Sequence, residues 1–134
     1  MSGARSHRDL VVWQKAMELA VLTYELTKPM PKSEQYGLTS QMLRAATSVP
    51  ANVAEGNARG SRKDYARFIS IARGSVVELE THLELSVRVH LLNATTVAPA
   101  ISLADEVSRM LFALRERLIK EEGGFREPDV EIGD

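Results

Sequence analysis

Glutamate and histidine side chains at helical spacing are the first candidates for chemistry in this sequence. Glu78 and His82 lie four residues apart, as do Glu80 and Glu84, so each pair could share one face of a helix. A di-iron helical bundle, however, uses a Glu-x-x-His motif on two helices plus two further inward glutamates. The sequence contains no Glu-x-x-His, and these charges alternate with apolar positions. We therefore expect solvated charges and no metal site.

The remaining polar residues give no catalytic pattern. His7 and His90 have no serine or carboxylate at a recognisable catalytic spacing, and no phosphate-binding loop of the form G-x-x-x-x-G-K occurs. The absence of cysteine excludes disulfides, thiolate chemistry and cysteine-ligated metals. The sequence predicts a protein that is not an enzyme and holds no cofactor.

Cations in the middle of the chain are the best candidate for a binding site. Residues 36–73 carry six basic residues against two acids, a net charge of +4: Arg44, Arg59, Arg62, Lys63, Arg67 and Arg73. An open array of cations suits phosphate oxygens, so the sequence predicts RNA or DNA binding that is salt-dependent and weakly sequence-specific. The alternative is a solvated turn whose arginines meet acids of a neighbouring helix. The chain would then be an oligomeric scaffold that binds a protein partner.

The bulk composition indicates one soluble globular domain. The chain has 134 residues, of which 44% are hydrophobic and 26% charged. No apolar run approaches the roughly 18 residues that span a bilayer, and the N-terminus does not resemble a signal peptide, so we expect a cytoplasmic protein without membrane contact. We predict a flexible N-terminus over 1–8, a helical bundle over 9–122 and an acidic, disordered tail over 123–134.

Apolar residues at three- and four-residue spacing predict four helices. The first two stripes are Leu10, Trp13, Met17, Ala20 and Tyr24, then Leu43, Ala46, Val49 and Val53. The third and fourth stripes are Tyr65, Phe68, Ile69, Ala72, Val76, Leu79 and Leu83, then Val97, Ile101, Ala104, Val107, Leu111, Leu114 and Leu118. The expected N-caps are Asp9, Ser61 and Thr96, and Gly123-Gly124 should end the last helix. This pattern is typical of an all-α, antiparallel up-and-down four-helix bundle.

A proline lies inside the second apolar pattern. Pro50 lacks a backbone donor, and its ring crowds the carbonyl of Ala46, which costs about 3 kcal/mol in a helix interior. The apolar spacing nevertheless continues through the proline without a phase break. We therefore expect one continuous second helix, kinked at Pro50.

Three segments carry a resemblance to a known family: DLVVWQKAMELA, YGLTSQMLRAATSVPANVAEGNARGSRKDYARF and GSVVELETHLEL. They resemble the bacterial four-helix-bundle family of 23S rRNA intervening-sequence proteins, which is similar to the accessory variability proteins of diversity-generating retroelements. The resemblance covers about Asp9 to Leu118. It implies a barrel-shaped homopentamer with a basic surface, and partners that include nucleic acid and a reverse transcriptase.

Surplus apolar residues also favour self-association. They lie beside the first stripe and off the third: Val12, Ala16, Leu19, Ile71, Leu85 and Val89. A monomeric bundle needs only one buried face per helix, so we expect these residues to form subunit contacts.

Overall fold

The fold is known from a computed structural model, which describes residues 6–126, with side chains described as far as residue 120. Its elements are a short 3-10 helix (His7–Asp9), α1 (Val11–Thr27), a second 3-10 helix (Lys32–Glu34), α2 (Leu38–Asn57), α3 (Arg62–Arg88) and α4 (Ala94–Arg126). No strand occurs in this part of the chain, which confirms the all-α prediction. None of the described helices combines the length and the apolar character needed to cross a bilayer.

The start of α3 is the predicted one. Ser61 has extended backbone angles, and its hydroxyl oxygen accepts a hydrogen bond from the amide of Asp64 at 3.1 Å. A serine in this position satisfies one of the free amides of the first turn. The prediction that Ser61 caps this helix is confirmed.

Two other predicted caps are wrong. Asp9 belongs to the first 3-10 helix, and α1 begins after Leu10 without any side-chain cap. At the start of α4, the Asn93 side-chain oxygen accepts from the amide of Thr96 at 2.8 Å, so the asparagine caps the helix in place of the threonine. Asparagine and threonine are both good caps, and local sequence did not separate them.

The end of α4 also differs from the prediction. This helix continues through Gly123 and Gly124 to Arg126, so the expectation that the glycines end it is wrong. Residues 1–5 and 127–134 lie outside the described residues. They hold most of the predicted flexible N-terminus and most of the predicted acidic tail.

The buried faces of α3 and α4 follow the predicted stripes closely. Val76, Leu79 and Leu83 of α3 are fully buried, as are Val107 and Leu111 of α4. Three stripe residues are only half-buried at the edges of these faces: Tyr65, Phe68 and Ile101.

The buried face of α1 is not the predicted one. Val12, Ala16 and Leu19 lie in the core, with at most 6% exposure, whereas the predicted stripe residues Met17 and Tyr24 are 40% and 50% exposed. The expectation that Val12, Ala16 and Leu19 form subunit contacts is therefore wrong. Both faces of this helix are apolar, and packing against α2 and α4 decides which one is buried.

Helix α2 contains Pro50 in its interior, so the prediction of one continuous helix through the proline is confirmed. The Thr47 hydroxyl donates to the carbonyl of Leu43 at 2.9 Å. Leu43 lies about one helical turn before Ala46, whose carbonyl the proline ring crowds. The kink itself stays a prediction.

Contacts between helices fix their register. The hydroxyls of Ser48 in α2 and Ser75 in α3 lie 2.8 Å apart, and Gly56 of α2 lies against Phe68 of α3. Residues nearer the end of α2 therefore contact residues nearer the start of α3, as in two neighbouring helices that run in opposite directions. The full up-and-down order of the four helices stays a prediction.

Candidate functional site

The turn between α2 and α3 carries the main cation cluster. Helix α2 ends at Asn57 and α3 begins at Arg62, so only four residues connect them. Gly56 makes this close approach possible, because a methyl group there would lie 2.9 Å from Cβ of Phe68. We call Arg59, Arg62, Lys63 and Arg67 the basic turn.

Asp64 holds two arginines of the basic turn. Its two carboxylate oxygens lie 3.0 Å from Nε of Arg59 and 2.9 Å from Nη2 of Arg67. Arg59 also lies 3.6 Å from the carboxylate of Glu55 in α2. These guanidinium groups are positioned by acids of the turn itself, and part of their charge is already compensated.

Both arginines also contact one aromatic ring. The Cζ atoms of Arg59 and Arg67 lie 4.7 Å and 4.5 Å from the ring centroid of Phe68, which is half-buried. Such a contact is worth about 0.5–1 kcal/mol at an exposed site. The ring and the carboxylate together fix the place of two long, otherwise mobile side chains.

The other two members of the basic turn are exposed in the first turn of α3. Both Arg62 and Lys63 are exposed, and Lys63 has no ion-pair partner among residues 6–120. The first amides of a helix carry partial positive charge of their own. This end of α3 can therefore attract an anion through side chains and backbone together.

Arg44 and Arg73 do not join the basic turn. Arg44 precedes the end of α2 by thirteen residues, which is about 20 Å along the helix axis, and its guanidinium donates to the Gln41 side chain at 2.6 Å. Arg73 lies over the ring of Phe112 in α4, at 5.0 Å from its centroid. The structure thus brings together four of the six predicted residues.

Sequence reasoning missed a second cation on the α3–α4 face. The Arg115 guanidinium donates to the hydroxyl of Ser70, one helical turn from the contact between Arg73 and Phe112. Nothing local to Arg115 signals this, because the two arginines are far apart in sequence. Only the register between α3 and α4 brings them to one face.

Sequence reasoning also missed an apolar groove between α1 and α2. It has a volume of about 470 Å³ and is lined chiefly by Trp13, Met17, Val21, Tyr24 and Pro50. Small residues of α2, Ala51 and Ala54, are among its other lining residues. Most of the α1 side chains that line this groove are exposed, and Trp13, a residue of the predicted first stripe, is half-buried there.

The acids and histidines singled out in the sequence form small local contacts. His82 Nε2 lies 3.3 Å from the Glu78 carboxylate. Burial raises the pKa of Glu80, and the nearby carboxylates of Asp105 and Glu84 raise it further. Within the described part of the chain, no three histidine, aspartate or glutamate side chains are placed to hold one metal ion.

Comparisons with known proteins agree with this architecture. The model of the family described as "23S rRNA-intervening sequence protein" matches residues 8–113. Among solved structures, the chain is similar to a crystal structure of a protein of unknown function from the S23 ribosomal protein family of Bacteroides thetaiotaomicron. That comparison has a TM-score of 0.73 and 27% sequence identity, and it covers 78% of this chain and 97% of the other. No curated protein matches the sequence. Because the family match spans most of the chain, the protein belongs to the family of 23S rRNA-intervening sequence proteins.

Proposed function

We propose that the protein is a non-enzymatic, homo-oligomeric module that binds RNA or DNA through the basic turn. The observation that carries this proposal is the placement of Arg62 and Lys63, both exposed, in the first turn of the 27-residue helix α3. Exposed cations at a helix N-terminus favour phosphate oxygens. The rigid helices α2 and α3 hold this end of the bundle in place.

The members of the basic turn have unequal roles in this proposal. Lys63 can give its full charge to a phosphate because no described carboxylate pairs with it. Arg59 and Arg67 attract a phosphate less strongly, because Asp64 already compensates part of their charge. Phosphate contacts of this kind make binding strongly salt-dependent and largely independent of sequence.

Self-association would strengthen this binding. The groove between α1 and α2 supports it, as do the exposed apolar residues Ile71 and Leu85 of α3 and Val89 directly after that helix, at 43–50% exposure. Two apolar surfaces on different faces suit a closed ring of identical subunits. A pentamer is the ring that the family resemblance implies. Each added subunit repeats the basic turn and raises the local positive potential.

The experiment is a binding titration of the purified protein with a structured RNA and a duplex DNA at two salt concentrations. We expect the wild type to bind both, with affinity that falls steeply as salt rises. Replacing Arg59, Arg62, Lys63 and Arg67 with alanine should weaken binding to every sequence. On duplex DNA the salt slope should fall by roughly 0.9 for each phosphate that the variant no longer neutralises.

A control variant replaces two cations at the other end of the bundle, and its loss of affinity is compared per cation removed. Lys28 follows α1 and Lys32 lies in the second 3-10 helix, both close to the start of α2. A double alanine variant there should bind nearly as the wild type does. An equal loss of affinity in this control would mean that overall charge matters and that the basic turn is not the site.

The second candidate function is an oligomeric scaffold for a protein partner, such as a reverse transcriptase. The contacts of Asp64 and Glu55 with Arg59 favour it, because they show carboxylates already bound to this surface. An acidic patch on a partner could replace them. Wild-type protein that binds neither RNA nor DNA at low salt would decide for this scaffold. In either case we propose that the protein acts in the cytoplasm.

A further inference from the structure

Two guanidinium groups and one phenyl ring form a compact group of planar surfaces beside the start of α3. The Cζ atoms of Arg59 and Arg67 lie within 4.7 Å of the Phe68 ring centroid. Asp64 binds both arginines through different carboxylate oxygens. We call Arg59, Arg67 and Phe68 the planar cluster.

The charge state of the planar cluster makes it a weak phosphate ligand. The single carboxylate of Asp64 compensates part of the charge of both guanidinium groups, and the carboxylate of Glu55 lies 3.6 Å from Arg59. The pairing nevertheless leaves the Arg67 and Arg59 side chains 56% and 38% exposed, so a ligand can reach them. What the cluster offers to a ligand is therefore mainly a surface for stacking.

The rigidity of the planar cluster also favours stacking. An exposed arginine usually loses much rotamer freedom when a ligand binds. Here Asp64 and Phe68 already restrain both side chains, so less entropy remains to be lost. A free arginine on an open helix face would not have this advantage.

The cations next to the planar cluster complete a nucleotide-sized site. Lys63 lies one helical turn before Arg67, on the same side of α3. A base stacked on the cluster would have its own phosphate close to the first turn of the helix. This surface can thus contact both the base and the phosphate of the same nucleotide.

We propose that the planar cluster stacks an unpaired nucleobase, so that the preferred ligand of this surface is single-stranded nucleic acid or an RNA loop. This inference rests on the proposed nucleic-acid binding. Unpaired bases stack on aromatic rings and on arginine planes in many RNA-binding proteins, whereas the bases of a duplex have both faces covered by their neighbours. The cluster therefore distinguishes single-stranded from double-stranded nucleic acid without contacts that depend on the identity of the base.

The test compares a single strand of about 12 nucleotides, which carries 2-aminopurine, with its duplex. The binding assay is fluorescence anisotropy, and quenching of 2-aminopurine reports stacking. We expect the wild type to bind the single strand more tightly and to quench the probe. Arg67→Lys keeps the charge but removes the plane, so it should weaken single-strand binding by roughly tenfold and leave duplex binding nearly unchanged.

Two further variants separate stacking from charge. Lys63→Ala should weaken single-strand and duplex binding by the same factor, because it removes only a phosphate contact. Asp64→Asn frees the charge of both arginines, so duplex affinity and the salt slope should rise and the preference for the single strand should fall. Circular dichroism checks that each variant keeps the helical fold.

The outcomes distinguish this inference from the function on which it rests. Equal wild-type affinity for strand and duplex, with no change in Arg67→Lys, would overturn the stacking role and leave nucleic-acid binding standing. Wild-type protein that binds neither probe at low salt would overturn both.

Discussion

Gly56 of α2 lies directly against Phe68 of α3, at a distance that leaves no room for a side chain on the glycine. A methyl group there would lie 2.9 Å from Cβ of Phe68 and 3.2 Å from the backbone oxygen of Tyr65. This contact sets how closely α3 returns along α2. It therefore also sets the place of Phe68, the ring that Arg59 and Arg67 cover.

Gly56→Ala should destabilise the protein. The clash involves backbone as well as side chain, so the helices must separate, and overpacking of this kind costs about 1–3 kcal/mol. The better helix propensity of alanine offsets at most about 1 kcal/mol of that cost. Urea unfolding followed by circular dichroism measures the difference.

Gly74→Ala is the matched control. Gly74 lies within α3 but is exposed, and a methyl group there would meet nothing within 4 Å. This variant should gain about 0.5–1 kcal/mol, because glycine is a poor helix former. Equal gains in both variants would mean that the approach at Gly56 is looser than described.

Pro50→Ala should fold at least as stably as the wild type. The change restores a hydrogen-bond donor and relieves a cost of about 3 kcal/mol. It removes two buried ring carbons, worth about 2 kcal/mol at ~0.8 kcal/mol each. We expect a net gain of about 1 kcal/mol in the free energy of unfolding, and a straighter α2 in a crystal structure of the variant. A variant that fails to fold would show that the core requires the kink.

A charge in the apolar groove should break the proposed assembly. Val21 of α1 lines the groove and is 58% exposed, so Val21→Lys should not disturb the core of the subunit. Light scattering should give an oligomer for the wild type and a smaller mass for this variant. Val77→Lys, at a similarly exposed position on α3, is the control and should keep the wild-type mass.

Two results would contradict this prediction in different ways. A monomer mass for the wild type at micromolar concentration would end the homo-oligomer proposal. An intact oligomer in Val21→Lys would keep the assembly but place its contacts outside the groove.

Glu80→Gln should stabilise the protein at neutral pH. Burial first, and then Asp105 and Glu84, raise the pKa of Glu80 above the ordinary value of 4.5, so the folded state disfavours its charged form. This penalty is present above the raised pKa and disappears as pH falls below 4.5, where the group is protonated in both states. Because the group is only partly buried, we expect less than about 1 kcal/mol.

The measurement is the melting temperature of both proteins as a function of pH. The gain of Glu80→Gln should be largest near pH 7 and should fade in acid. A difference that does not depend on pH would show that the carboxylate charge is not its cause.

Local signals were sufficient for much of the fold. Val76, Leu79 and Leu83 lie on the longest apolar stripe of the α3 sequence, so their burial follows from helical period. Ser61 caps that helix through a bond to a residue three positions away. The continuous path through Pro50 also followed from spacing, because an interrupted helix would have shifted the apolar phase.

Only the tertiary structure decided which apolar face of α1 is buried. It also decided which of the arginines lie together in one cluster. The sequence placed Met17 on the predicted core stripe and Leu19 in a predicted subunit contact, but packing against neighbouring helices buries Leu19 and leaves Met17 exposed. Arg73 looked like part of one basic surface until the register of α3 and α4 placed it over Phe112. Periodicity determines which residues share a face of one helix, but it carries no information about the direction in which that face points. That direction is set by the packing of all four helices around one core, a property of the whole chain.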